Sequence, residues 1–254
     1  MGKRALFGGL YATTLIGIFG FTSFGPYLLA VFAFLLMNEV SRLLKMERKF
    51  PLLIFTFLVL FAGAMFDWGD NNNIVTSTVM LSTLLVLTLL RAKQPALEMR
   101  KSFFGLIYIY VPMIYVIQTS VESPKLILFI FIMIWSSDTF AYLVGRGFGK
   151  HPFAPKLSPK KTTEGFVGGI LGTLVVGTAT NHFWGLTSMA IALSLAVTVS
   201  LIAPFGDLVA SALKREADVK DSGVFLPGHG GALDRLDSFI TAAPISILIY
   251  QHLI

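Results

Sequence analysis

Two aspartates, three residues apart, stand near the carboxyl end of the chain where an apolar segment begins. They are Asp234 and Asp237, and on a helix this spacing places both carboxylates on one face. Mg²⁺ is usually held by one or two carboxylates together with the phosphates of a substrate. The pair therefore predicts a magnesium site. The alternative is structural, because acidic residues in a first helical turn also interact favourably with the helix dipole.

A glycine-rich stretch, PGHGG at residues 227–231, precedes the two aspartates. Glycine has no Cβ and tolerates positive φ, so the backbone here can approach a ligand closely. Exposed N–H groups and the amino end of the following helix would favour a phosphate group. The stretch indicates a phosphate site or, in the simpler interpretation, a glycine-rich turn.

A polar stripe lies at the end of the preceding apolar segment, in GDLVASALKR at residues 206–215. An acid, a hydroxyl and two cations recur there at i, i+4, i+7 and i+8, which is one face of a helix. An acid in an apolar segment is costly unless it has a partner. The stripe predicts a site for metal and phosphates. In the alternative interpretation, the two cations only set the orientation of the protein in the membrane, and the acid pairs with one of them. Its members are Asp207, Ser211, Lys214 and Arg215.

A third polar cluster occupies residues 136–169. Asp138 lies within an apolar segment and needs a partner or water. The segment SPKKTTEG places hydroxyls and amines that could hold a triphosphate just before a helix, unless they are ordinary basic loop residues. The nearby GRGFGK lacks the spacing of a phosphate-binding loop. The candidates of SPKKTTEG are Ser158, Lys160, Lys161 and Thr162.

The composition identifies the elements that must position these side chains. Of 254 residues, 55% are hydrophobic and 13% are charged, against about 25% charged in an ordinary soluble domain. Apolar runs recur that can each cross a hydrocarbon core about 30 Å thick. We therefore expect an all-α integral membrane protein. The absence of cysteine excludes thiol nucleophiles, disulfides and thiolate metal sites.

We predict about nine transmembrane helices. The apolar segments are 5–22, 25–44, 51–66, 74–91, 103–119, 126–145, 165–184, 187–210 and 238–253. With the N-terminus cytoplasmic and the C-terminus outside, 19 of the 20 Lys and Arg residues fall on the cytoplasmic side, and only Lys125 lies opposite. The basic, apolar start also fits a signal peptide, but no clear cleavage site follows, so a retained first helix is favoured.

The predicted organisation is a single polytopic membrane domain over residues 1–254. Residues 1–120 would form N-terminal helices, and residues 126–254 would form catalytic helices with cytoplasmic loops 146–164 and 211–237. The net charge of +6 indicates orientation and contact with anionic membrane lipids, and nucleic-acid binding has no support. We expect a multi-pass protein of the cell membrane with its active site on the cytoplasmic face.

The segment from Ser211 to Asp237, SALKREADVKDSGVFLPGHGGALDRLD, closely resembles the signature of phosphatidate cytidylyltransferases, also called CDP-diacylglycerol synthases. SPKKTTEG and residues 138–150 are similar to the upstream elements of that family. The resemblance covers residues 136–238 in detail. The signature positions, all matched, are Ser211, Lys214, Arg215, Lys220, Asp221, Pro227, His229, Gly230, Gly231, Asp234, Arg235 and Asp237.

The resemblance implies that CTP and phosphatidic acid react to give CDP-diacylglycerol and pyrophosphate, with Mg²⁺ required and a second metal ion left open. It also suggests a homodimer. Asp207, Asp234 and Asp237 would hold the metal and, with Lys214 and Arg215, form the catalytic group. Phosphatidate brings its own nucleophile, a phosphate oxygen, so no Ser-His-Asp triad is needed.

The other matched residues would bind the substrates. Lys160 and Lys161 would neutralise phosphates, the amides of Gly230 and Gly231 would contact them, and His229 would donate a hydrogen bond. Arg235 would bind phosphate or orient a carboxylate. The remaining substrate-binding candidates are Asp138, Ser158, Thr162, Ser211, Lys220 and Asp221. Glu39, in the second apolar segment, is either a further polar group or a helix-packing residue, and packing is favoured.

Two other classes of protein share some of these features. A secondary transporter would also contain about nine helices with intramembrane acids, but should show paired repeats and broken helices at the midplane. Here the polar residues cluster at one face. A CDP-alcohol phosphotransferase would use Asp residues and Mg²⁺, but its aspartate pattern is absent because the acids here are three apart.

Overall fold

The computed structural model describes residues 2–47, 92–225 and 230–254, with single positions at 53, 56, 59, 86 and 90. Within these residues the protein is nearly all-α, as predicted. The elements are α1 (Gly2–Phe21), α2 (Gly25–Leu43), α3 (Pro95–Gly105), a π-helical segment (Leu106–Tyr110), α4 (Val111–Glu122), α5 (Pro124–Phe148), β1 (Pro152–Ala154), β2 (Ser158–Thr162), α6 (Thr163–Trp184), α7 (Met189–Glu216) and α8 (Leu233–Leu253).

Five helical segments among the described residues are long and apolar enough to cross a membrane. They are Gly25–Leu43, Pro95–Glu122, Pro124–Phe148, Thr163–Trp184 and Met189–Glu216. Each coincides with a predicted apolar span, and a shorter apolar helix covers Phe7–Phe21. The predicted spans 51–66 and 74–91 lie almost wholly outside the described residues. The total of nine and the orientation of the termini stay predictions.

The chain divides into two compact units. The first comprises Met1–Pro124 and Asp221–Asp234, and the second comprises Lys125–Lys220 and Arg235–Ile254. The described residues between Asp221 and Asp234 therefore belong with the N-terminal helices, although α7 and most of α8 belong to the second unit. That the chain forms a single polytopic domain stays a prediction.

The first unit is built around α2, which begins with a proline in its first turn, a position that proline favours. Leu29, Leu36 and Val40 are fully buried. Phe32 and Glu39 are 4% exposed, so a carboxylate lies on an otherwise apolar buried face.

In the second unit, glycines of α6 allow a close approach to α5. A Cβ at Gly168 would lie 2.5 Å from the Cβ of Val144, and one at Gly165 would lie 2.7 Å from the carbonyl oxygen of Ala141. Small residues at helix interfaces let backbones come close together in membranes. This packing brings the carboxyl-terminal half of α5 beside the first turns of α6.

A short antiparallel hairpin, β1–β2, connects α5 to α6 and pairs Pro152 with Thr162 and Ala154 with Ser158. It is the one departure from the all-α prediction in the described residues. Thr162 ends β2 and caps α6, because its Oγ1 accepts a hydrogen bond from the Gly165 amide at 3.1 Å. The cap holds Lys160 and Lys161 next to the α5–α6 contact.

Helix α8 packs against both α5 and α7 in the second unit. The rings of Phe131 and Phe239 stack with centroids 4.0 Å apart and an interplanar angle of 3°. A Cβ at Gly206 of α7 would collide with the carbonyl oxygen of Asp237 and lie 3.0 Å from the Cα of Ser238. The two backbones therefore touch at the residue next to Asp207.

Candidate active site

Three carboxylates from three helices come together in the second unit: Asp138 of α5, Asp207 of α7 and Asp237 of α8. Asp237 is only 8% exposed, and its Oδ1 accepts a hydrogen bond from the Ser238 amide at 2.7 Å. Asp207 and Asp138 both lie close enough to Asp237 to act on it electrostatically. Such a concentration of negative charge calls for cations nearby.

Lys161 supplies one of these cations. Its Nζ lies 2.5 Å from Oδ2 of Asp207, and its charge also acts on Asp138. The Ser211 hydroxyl donates to Oδ1 of Asp207 at 3.4 Å, so two members of the predicted α7 stripe do contact each other. Lys161 therefore links the hairpin to α7.

A cavity of about 340 Å³ opens beside Asp138 and Lys161. This volume is in the range of small-molecule sites, which combine apolar walls with a few polar groups. One acid and three cations lie on its wall, so the cavity suits a ligand that carries phosphate. The lining residues are Ser137, Asp138, Ala141, Tyr142, Gly145, Arg146, Phe153, Lys160, Lys161, Thr162, Gly165, Phe166 and Pro204.

Glu164, in the first turn of α6, holds the segment that enters the hairpin. Its Oε2 accepts from the amides of Lys150 and His151 at 3.0 and 3.2 Å, and its Oε1 lies 2.5 Å from Nδ1 of His151. Neither Glu164 nor His151 is among the site residues predicted from the sequence. A glutamate in the first turn of a predicted helix was the available signal.

Asp234 has a different setting, inside the first unit. Its Oδ2 accepts from the Ser222 amide at 2.8 Å, the Ser222 hydroxyl at 3.0 Å and the Gly231 amide at 2.8 Å. Gly230 has a φ of +76°, which glycine adopts without strain. In this structure the Gly231 amide donates to Asp234, whereas the family resemblance implies that it contacts a phosphate.

The remaining predicted residues occupy varied positions. Lys220, Asp221, Arg215 and Arg235 are exposed. Arg235 acts electrostatically on Asp138, and Lys214 acts on Asp237. Ser158 and Thr162 belong to β2, while His229 and Pro227 lie outside the described residues. The second unit thus brings together Asp138, Lys160, Lys161, Asp207, Ser211 and Asp237.

The fit of a metal ion depends on Asp207 and Asp237. No group of three or more acidic or imidazole side chains in the described part of the chain is arranged to hold a metal ion unaided. Mg²⁺ needs fewer protein ligands, because substrate phosphates and water complete its coordination. Asp207 follows the glycine that touches the backbone of Asp237. The two carboxylates are hard oxygen donors and fit this ion.

Comparison with known proteins places this geometry in context. Residues 3–253 match a family model described as "Cytidylyltransferase family". The chain is 36% identical over 231 residues to the phosphatidate cytidylyltransferase of Staphylococcus haemolyticus (strain JCSC1435). The aligned region covers 89% of this chain and 88% of that protein. It is 38% identical over 189 residues to the protein of the same name from Staphylococcus saprophyticus subsp. saprophyticus, with 73% and 72% covered. A protein of that name from Staphylococcus epidermidis (strain ATCC 12228 / FDA PCI 1200) is 46% identical over 147 residues, with 57% and 56% covered.

Proposed function

Because the chain belongs to the cytidylyltransferase family, we propose that it transfers the cytidylyl group of CTP to phosphatidic acid. A phosphate oxygen of phosphatidate attacks the α-phosphorus of CTP, a new P–O bond forms, and pyrophosphate leaves to give CDP-diacylglycerol. The observation that carries the proposal is the similarity to a phosphatidate cytidylyltransferase over 89% of this chain. The secondary-transporter alternative finds no support in these similarities.

The protein must bring two anionic substrates together and stabilise charge as pyrophosphate leaves. Positively charged clamps are suited to this task, as in phosphoryl transfer generally. Lys160, Lys161 and Arg146 line the cavity in the second unit, and we assign the two lysines to substrate phosphates. Lys214 and Arg215, at the end of α7, are proposed to stabilise the negative charge that develops as pyrophosphate leaves.

Asp207 and Asp237 are proposed to hold Mg²⁺, which when bound would neutralise phosphate oxygens and polarise the reacting phosphorus. The contact of α7 with α8 at Gly206 supports this pair. Lys161 holds Asp207 in place from the hairpin. That Asp234 completes the set, and that a second metal ion binds, stay predictions from the sequence.

The protein is a multi-pass membrane protein, and we propose that its active site faces the cytoplasm. The distribution of Lys and Arg along the chain supports this orientation. A site at that face serves both substrates, because CTP is dissolved in the cytosol and the acyl chains of phosphatidate stay in the bilayer. The homodimer implied by the family resemblance stays a prediction.

The test uses purified protein in detergent micelles with phosphatidic acid, labelled CTP and Mg²⁺. CDP-diacylglycerol is measured for wild type, for Asp237→Asn and for Asp218→Asn. Asp218 is a matched control, since it is exposed and its positive φ of 58° is tolerated by asparagine. We expect product from wild type and Asp218→Asn, and little from Asp237→Asn.

Full activity of Asp237→Asn would remove Asp237 from the metal site without affecting the proposed reaction. An absence of product from folded wild-type protein, across several lipid compositions, would refute the reaction itself.

A further inference from the structure

A buried carboxylate of the first unit has no part in the mechanism above. Glu39 of α2 is 4% exposed, and burial of a charged group is costly unless hydrogen bonds compensate it. Among the described residues, the hydrogen-bond donors to Glu39 lie in the segment 222–233, at least 183 residues away in the sequence. That segment leads directly to Asp234.

Glu39 caps helix α8 from outside that helix. Its Oε1 accepts from the Ala232 amide and its Oε2 accepts from the Leu233 amide, both at 2.9 Å. The first amides of a helix have no carbonyl partner within the helix. A negative charge at this end also interacts favourably with the helix dipole. The side chain therefore does what an N-cap residue does, but it comes from a distant part of the chain.

The same carboxylate continues into the hydrogen bonds of Asp234. The Ser222 hydroxyl lies 2.6 Å from Oε2 of Glu39 and 3.0 Å from Oδ2 of Asp234. A Cβ at Gly231 would collide with both the Glu39 carboxylate and the Ser222 hydroxyl. A side chain at position 231 would therefore disturb the hydrogen bonds between Glu39, Ser222 and Asp234.

Helix α2 contacts this segment at a second point, one that involves no charge. Phe32 lies seven residues before Glu39 on the same face of the helix. Its ring meets Phe225 edge-on, with centroids 6.0 Å apart and an interplanar angle of 88°. The Phe225 amide donates to the carbonyl oxygen of Gly230 at 2.8 Å. Two contacts of α2 therefore hold Phe225, which precedes PGHGG, and Ala232, which follows it.

We infer that Glu39 is a positioning residue for the proposed cytidylyl transfer. By accepting the amides of Ala232 and Leu233 and the Ser222 hydroxyl, it holds Gly231 and Asp234 in the conformation that the reaction requires. This inference rests on the proposed function. It replaces the sequence-based interpretation of Glu39 as a helix-packing residue, because each of its oxygens has a hydrogen-bond donor.

The decisive variant is Glu39→Gln, which keeps the shape of the side chain. The NH₂ group of glutamine would face an N–H donor at either oxygen position, so half of the cap is lost. Ser222→Ala is a milder second variant, because it removes the hydroxyl and leaves both amide bonds. The matched control is Glu98→Gln. Glu98 is 1% exposed in the first unit and bonds to Lys101 and the Glu47 amide.

Two readouts separate positioning from folding. Hydrogen exchange, followed by mass spectrometry in detergent, should show faster exchange of the amides in segment 222–233 for Glu39→Gln and unchanged exchange there for Glu98→Gln. Steady-state kinetics should show kcat lower by roughly tenfold to a hundredfold for Glu39→Gln, because small misplacements of reacting groups have effects of this size. Ser222→Ala should fall between Glu39→Gln and wild type.

Unchanged exchange in segment 222–233 of Glu39→Gln would overturn the inference, as would equal losses of kcat in Glu39→Gln and Glu98→Gln. If Glu39→Gln does not fold, Ser222→Ala decides, and wild-type exchange in that variant counts against the inference. Wild-type protein without transferase activity would refute the proposed function, while the exchange measurement would still report on the cap.

Discussion

The contact between α7 and α8 at Gly206 provides a direct test of the carboxylate arrangement. In Gly206→Ala, the new Cβ would collide with the carbonyl oxygen of Asp237 and lie 3.0 Å from the Cα of Ser238. Carbon atoms in contact are ordinarily about 3.5–4.0 Å apart. Because most of the obstruction is backbone, the helices must separate by roughly 0.5–1 Å for this contact to become acceptable.

The two consequences of this separation differ in size. Overpacking of this kind costs about 1–3 kcal/mol in the free energy of unfolding, and alanine offsets about 1 kcal/mol of it through its higher helix propensity. The net loss of stability is therefore small. The effect on the reaction is larger, because a misplacement of about 1 Å can reduce the rate roughly a hundredfold, and Asp207 and Asp237 lie on the two helices that move.

The assay compares Gly206→Ala with Gly17→Ala, a helical position in α1 where a Cβ meets no atom within 4 Å. CDP-diacylglycerol formation and the thermal unfolding midpoint in detergent are measured for both. We expect Gly17→Ala to match wild type in activity and Gly206→Ala to lose most of its activity while it stays folded. Wild-type kcat in Gly206→Ala would refute the reasoning that this contact sets the carboxylate geometry.

Three further predictions follow from the site. Lys161→Met should lower kcat/KM roughly a hundredfold, because it removes the cation paired with Asp207. Lys156→Met, at an exposed loop position, should leave kcat/KM unchanged. Initial rates with labelled CTP test this, and equal rates for the two variants would count against a role of the ion pair. Thr162→Ala should destabilise the protein by about 1 kcal/mol through loss of the α6 cap, and Thr162→Ser should restore it in thermal unfolding. Chelation with EDTA should abolish product formation and excess Mg²⁺ should restore it; activity that persists after exhaustive chelation would contradict a metal requirement.

The sequence predicted the helical class because long apolar runs have few structural solutions in a bilayer. Five of these runs are membrane-length helices in the described residues. It also predicted the family, because the residues of SALKR and PGHGGALDRLD occur at fixed spacings that few other proteins share. These features are local in the chain, so no knowledge of the tertiary structure is required to find them.

Contacts between residues far apart in the chain could not be predicted from the sequence. The partner of Asp207 is Lys161, on the hairpin, and no periodicity links positions 46 residues apart. The hairpin was missed because its strands are short and polar, with no alternation long enough to predict a strand. A packing role was favoured for Glu39 because its neighbours in the sequence are apolar. Hydropathy does not show that amides from a distant part of the chain donate hydrogen bonds to its carboxylate.

The long sequence separation between Glu39 and its partners also has a consequence for biosynthesis. Ser222 follows Glu39 by 183 residues, and translation at about 5–20 residues per second needs roughly 10–40 s to cover that distance. During this interval the nascent chain carries an acidic side chain in a membrane-length helix before its hydrogen-bond partners exist. The first unit is therefore completed only after Ser222 has been synthesised, and a chain that stops before Ser222 leaves its N-terminal helices without that contact.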